Sequence, residues 1–217
     1  FYGFRDVIDT FEMTGSPRRL KPVNIYYHTY SASKVAALKA LHAVYDWALA
    51  QPLHPVFPTE YIAMATNFDT LTLARALDDP DTLHIRHADA LRSLRLPPDL
   101  PPVALADSTG LAGTAPGPDG AFATLAARRA ALRFGPTPTA APAFVSANAA
   151  LDAWQRDART TRFALRGHVP LRFTLSHPAT CHLSAGKRRL RATQHDGLRH
   201  DYRLDATHAD LVLRCPG

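Results

Sequence analysis

The sequence predicts an α/β unit followed by an antiparallel β-sandwich, and three observations predict it. Between residues 23 and 68 strand-like and helix-like patterns alternate with short connections, the order of a parallel α/β unit. From about Asn67 the helical period fades. Beyond it, short runs of apolar-polar alternation recur between turn signals, as in a sandwich. The expected division is therefore 1–68 and 69–217.

The first expected strand is Val23-Asn24-Ile25-Tyr26-Tyr27, a β-branched and aromatic run after Pro22 that reads as buried and ends at His28. Ser31-Ala32-Ser33 offers a helix N-cap, and Lys34 to Gln51 follows with Val35, Leu38, Leu41, Tyr45, Ala48 and Leu49 on one face until Pro52 stops it. Leu53 to Phe57 reads as a second strand. Pro58-Thr59-Glu60 then caps a helix through Tyr61, Ile62, Met64, Ala65 and Phe68.

The runs Thr70–Arg75 and Thr82–His87 alternate around the turn Asp78-Asp79-Pro80-Asp81 and predict a hairpin. Proline-rich connections cover 97–102 and 136–142. Further alternation at 163–166, 171–175, 202–204 and 211–214 predicts strands, and 145–157 reads as a short helix around Leu151 and Trp154.

With 217 residues and 46% hydrophobic content the chain can bury a real core as one or two domains. No apolar run approaches the roughly 18 residues of a membrane span, and residues 1–20 lack a signal-peptide pattern. Phe1-Tyr2-Gly3-Phe4 with Val7-Ile8 reads as core material, so the N-terminus is expected to be a cut. The formal charge of +6 does not by itself predict nucleic-acid binding, because only four of the 25 basic residues are lysine and the arginines are dispersed. Lys187-Arg188-Arg189-Leu190-Arg191, after the turn-like Ala185-Gly186, reads as a solvated hairpin, with an anion-binding patch as the other reading. Cys181 and Cys215 lie 34 apart, too far for a CxxC motif. They either form a disulfide in an oxidising compartment or remain buried thiols.

Among candidate site residues, His28 stands at the C-terminal end of the first expected strand, where an α/β barrel places active-site groups. An imidazole there suits a general acid, against the alternative of a histidine satisfied by a neighbouring carbonyl. Asp9 and Glu12 could share a helical face or solvate a loop. Arg18 and Arg19 could orient a carboxylate or lie on the surface. Tyr26, Tyr27, Tyr30 and Trp47 could stack on sugar rings, with core packing the stronger expectation for Tyr26. His84 and His87 face opposite sides of a strand and make poor metal partners. His195, His200 and His208 receive no site.

The stretches Asp6-Val7-Ile8-Asp9-Thr10-Phe11-Glu12, Ser16-Pro17-Arg18-Arg19-Leu20-Lys21-Pro22, Ile25-Tyr26-Tyr27-His28-Thr29-Tyr30-Ser31 and Tyr45-Asp46-Trp47-Ala48-Leu49-Ala50-Gln51-Pro52 resemble the late deacetylase segment of the PelA family of Pel exopolysaccharide hydrolase/deacetylases. The likeness is dense to about residue 70 and continues more thinly through Glu60-Tyr61-Ile62 and residues 113–120. It implies that 1–68 are the C-terminal strands and helices of a deacetylase-type (β/α) barrel and that 69–217 are an accessory β-sandwich.

It also implies metal-dependent removal of N-acetyl groups from an amino-sugar polymer of biofilm matrix. One Asp and two His hold a divalent metal, zinc being the expected ion, a further Asp acts as base, and a late-strand histidine protonates the leaving amine. His28 matches that last role; Arg18, Arg19, Glu12 and Tyr30 become substrate-contacting or positioning residues. Nothing in the chain matches the base and metal-ligand motifs, so the metal is expected on a preceding segment and this chain alone is expected to be inactive. The implied partners are the polysaccharide, that preceding segment and an export or scaffold protein, with no nucleic acid, in the periplasm. The rival reading is a non-catalytic β-module that docks polysaccharide or an export partner.

Overall fold

A computed structural model describes residues 3–16, 19, 21–136 and 142–216. Expectations placed on Phe1, Tyr2, Arg18 and the 136–142 connection fall wholly or partly outside those residues. The chain divides into two compact units, 1–53 and 54–217.

The first unit is helical. Helix α1 (Val7–Met13) buries Phe11, a 3-10 turn covers Thr29–Ser33, and helix α2 (Val35–Ala50) follows. The expected buried strand at 23–27 does not form: these residues run without a strand partner, and Tyr26 is 78% exposed. A β-branched run is only a strand when another strand accepts its hydrogen bonds. The buried face of α2 is Ala37, Ala40 and Val44, and Val35 is 72% exposed. The larger side chains expected inside lie instead on the flanks or outside, because small residues let α1 approach and Phe11 stack on Trp47 with ring centroids 5.5 Å apart.

The second unit opens with helix α3 (Pro58–Thr70); Leu53–Phe57, expected as a strand, forms none. Proline at the first helical position needs no N–H partner, and the Glu60 carboxylate reaches back to accept the Phe57 N–H at 2.7 Å. The strands follow in order: β1 (Thr72–Arg75), β2 (Thr82–Arg86), β3 (Ser93–Leu96), β4 (Leu111–Gly117), β5 (Gly120–Leu125), β6 (Ala130–Arg133), β7 (Ala143–Ala147), β8 (Ala150–Arg156), β9 (Thr160–Arg166), β10 (Leu171–Ser176), β11 (His182–Ala185), β12 (Arg188–Leu190), β13 (Gln194–Asp196), β14 (Arg199–Leu204) and β15 (His208–Arg214). They form four sheets, β1-β2-β6, β3-β5-β4, β13-β14-β10-β7 and β12-β11-β15-β9-β8.

These findings overturn the expected fold class. Among the described residues every strand pairing is antiparallel, no barrel closes, and the three α-helices are short. The helix expected at 145–157 is also corrected: β7 and β8 occupy it, with Trp154 opposite Phe163 of β9. Pairing to β9 outweighs the helix-forming tendency of its alanines.

The first two sheets enclose a core that includes Ile85, Leu96, Leu111, Leu125 and Leu132, and the other two enclose Phe144, Phe163, Leu171, Phe173 and Leu211. Strand β4 joins the cores. A register shift between Leu111 and Gly113 makes Ala112 a bulge residue, so Leu111 packs into the first core and Ala112 into the second. Helix α3 spans both sheet pairs. Its Glu60 meets His168 Nε2 at 2.8 Å and Arg166, while Asn67 donates to the His87 carbonyl at 2.7 Å and accepts from the Ala90 and Leu91 N–H groups, each at 2.9 Å.

Beside the second core the structure joins Cys181 to Cys215 in a disulfide that closes a 34-residue separation. Replacing both cysteines with alanine is expected to lower the unfolding free energy by about 3 kcal/mol, through the entropy the crosslink removes from the unfolded chain. A urea titration of the double variant against the oxidised protein measures this, and equal midpoints would refute it.

Candidate functional site

His28 ends an extended segment (φ −88°, ψ 144°), and its carbonyl accepts the Ser31 N–H at 2.9 Å to start the 3-10 turn. That turn carries Tyr30 back over the imidazole. The two rings stack with centroids 5.0 Å apart and planes 9° from parallel, and Tyr26 meets the other side edge-on at 5.4 Å. Tyr30 is 69% exposed. The result is a solvent-facing row of three rings, Tyr26 and His28 from the extended segment and Tyr30 from the 3-10 turn that follows it. Tyr26 was expected in the core; without a partner strand nothing covers it. Tyr27, on the other side of the segment, meets Tyr45 edge-on at 6.4 Å.

Glu12 ties the two helices together, and Arg19 caps the first. The Glu12 carboxylate accepts the Trp47 indole N–H at 3.1 Å, and the Arg19 guanidinium donates to the Phe11 carbonyl at 2.7 Å, near the end of α1, where the Thr14 hydroxyl also donates at 3.2 Å. Among the described residues no hydrogen bond or ring contact joins this pair to the His28 row. Arg18 lies outside the described residues. Asp9 lines an open cleft of about 550 Å³ between α1 and α2 with Arg5, Asp6 and Lys39.

A buried histidine cluster in the second unit escaped the sequence reading. His177, 2% exposed, stacks on His200 with centroids 4.0 Å apart. A carbonyl can only accept, so the contact of His177 Nδ1 with the Pro178 oxygen at 2.8 Å places the proton on Nδ1. Nε2 then accepts the Tyr202 hydroxyl at 2.9 Å, and His200 Nε2 donates to the His177 carbonyl at 3.1 Å. Burial pushes the Tyr202 phenol up to about 12, which keeps it a donor. The strand parity shared by His200 and Tyr202, with Tyr202 apolar enough for a core, was the signal available in the sequence.

Burial, joined by the neighbouring His200 and opposed by the Pro178 carbonyl, holds His177 below its ordinary value of 6.5. A histidine depressed in the folded state supplies stability that is present above its unfolded value and lost as pH falls toward the folded one. The urea midpoint is therefore expected to drop between pH 7 and pH 5, and to drop less in His177→Phe. An identical drop in that variant would locate the acid sensitivity elsewhere.

Among the described residues no three His, Cys, Asp or Glu side chains are placed to hold an ion, and the rings flanking His28 are tyrosines. Among the same residues no helix is long and apolar enough to cross a membrane. No protein-family model, curated protein or solved structure matches this chain.

Proposed function

We propose that this chain forms part of a metal-dependent polysaccharide de-N-acetylase acting on an N-acetylated amino-sugar exopolysaccharide of the Pel type during biofilm matrix synthesis. The observation that carries the reading is the block of residues ending in Ile25-Tyr26-Tyr27-His28-Thr29-Tyr30-Ser31, which is similar to the PelA family, with its one histidine solvent-accessible and flanked by two exposed tyrosines. Tyrosine rings offer flat apolar faces to the C–H face of a sugar and polar tips to its hydroxyls.

In this reading the polymer lies along Tyr26 and Tyr30, and His28 in its protonated form faces the amide nitrogen. Water gives a proton to the base carried by the segment outside this chain and adds to the acetyl carbon; as the C–N bond breaks, the nitrogen takes the His28 proton, giving acetate and a free amine. The divalent metal, zinc by the family's habit, belongs to a segment outside this chain, and no step is routed through it here. Glu12 acts as a positioning residue that holds α1 against α2, and Arg19 as one that caps the end of α1. The partners are the polymer, the deacetylase segment that carries the metal, and an export or scaffold protein. The Cys181–Cys215 disulfide supports an oxidising location such as the periplasm.

The test is acetate release from N-acetylated galactosamine and glucosamine oligomers by the chain together with that segment. His28→Ala is expected to lower kcat by about 10²–10⁴-fold, the range for a lost general acid. Full activity in this variant would remove His28 from the reaction.

A further inference from the structure

We infer that the outer face of the five-stranded sheet, at the β11–β12 hairpin and the end of β15, is a docking surface for an acidic polysaccharide. Leu183, Leu190 and Leu213 turn inward to the second core, so the alternating residues His182, Arg189 and Arg214 face outward. His182 lies directly opposite Arg214, and the Arg189 guanidinium donates to His182 Nδ1 at 2.6 Å. Gly186, with φ +55°, makes the tight turn that carries Lys187 and Arg188 to the same edge, and Arg191 follows β12.

No acidic residue occurs from Thr180 to Thr193. Among the described residues none of Lys187, Arg188, Arg189, Arg191 and Arg214 pairs with a carboxylate, whereas Arg162 and Arg166 on the same sheet are paired with Asp157 and Asp152. Arg189 rests on the His182 ring and, among the described residues, meets no carboxylate. The disulfide then fixes the site, because Cys181 precedes His182 and Cys215 follows Arg214.

The matching partner is a polymer bearing regularly spaced carboxylates. Guanidinium groups pair with carboxylates through two parallel hydrogen bonds. A sheet edge suits an extended chain. The patch contains no Phe, Tyr or Trp ring on which nucleic-acid bases could stack, and its one imidazole is engaged by Arg189; a disulfide-bonded protein belongs to an oxidising compartment, outside the cytosol that holds the nucleic acid. This inference stands apart from deacetylation, and either can fail alone.

Polygalacturonate is the probe, titrated at low salt into the full chain and into two variants that carry equal net charge. Arg189→Glu is expected to weaken binding about tenfold or more and to flatten its salt dependence, while Arg86→Glu, at an exposed position at the end of β2, leaves both nearly unchanged. Three outcomes would overturn the inference: no binding of polygalacturonate by the wild type, equal weakening by both variants, or tighter binding of a double-stranded DNA oligonucleotide at the same salt.

Discussion

Asn67→Leu is expected to lower the unfolding free energy of the second unit by about 4 kcal/mol, as the sum of several stranded polar groups costing about 1–3 kcal/mol each. Asn67 is buried in α3, and its amide uses every hydrogen-bonding capacity it has. The nitrogen donates to the Thr70 hydroxyl at 2.9 Å and to the His87 carbonyl, and the oxygen accepts the Ala90 and Leu91 N–H groups. Leucine fills the space but leaves the loop after β2 with two donors and one acceptor unanswered. His87 sits at φ +59°, a conformation unusual for a side-chain-bearing residue, so the loop relies on these bonds to hold its shape. Hydrogen exchange at Ala90 and Leu91 should accelerate together with the loss of stability. A variant within 1 kcal/mol of wild type would mean that water replaces the amide, and that α3 is held by its glutamate end alone.

Gly113→Val is expected to cost a similar amount, about 4 kcal/mol, above the usual range for overpacking because the obstacle is main chain. A Cβ at this position would press on the Phe144 carbonyl oxygen and lie 2.6 Å from its nitrogen. A side chain can rotate away from such a clash; β7 cannot move without opening its pairing to β10. A second tie between the two sheet pairs is the Arg156 guanidinium, which donates to the Leu105 carbonyl at 2.9 Å. Denaturant unfolding followed separately by Trp154 fluorescence and by far-UV circular dichroism reads the result. Wild type should give coincident curves and Gly113→Val separate ones, since the substitution uncouples the sheet pairs; coincident curves at an unchanged midpoint would refute it.

Legibility followed the physics of pairing. The hairpin of β1 and β2 was readable because apolar and polar residues alternate along both runs in sequence and Asp78-Asp79-Pro80-Asp81 marks the turn, although every residue of β1 is exposed; the alternating runs at 163–166, 171–175, 202–204 and 211–214 fall on β9, β10, β14 and β15. Val23–Tyr27 misled because strand propensity describes a half-buried surface, and no neighbouring strand supplies one. The 145–157 stretch misled in the opposite sense: its alanines favour helix locally, while pairing to β9 is settled by residues far along the chain. At the candidate site the sequence reading set His28 at the end of a buried strand, whereas the structure sets it at the end of an unpaired extended segment that leads into a 3-10 turn. The His177 cluster remained hidden because its key contacts, Tyr202 and His200, are more than twenty residues away.

The order of strands in the five-stranded sheet bears on how the protein is made. β15 comes last in sequence yet lies between β11 and β9. A growing chain can close the first sheet pair as soon as residue 134 has left the ribosome. β9 and β11 must wait with bare edges until residues 208–214 arrive to fill the gap between them. That interval, when Phe163 and Leu183 lack their cover, is when the nascent chain is open to aggregation and in need of a chaperone. The Cys181–Cys215 crosslink joins the residue before β11 to the residue after β15, so once formed it keeps the closing strand from leaving its place.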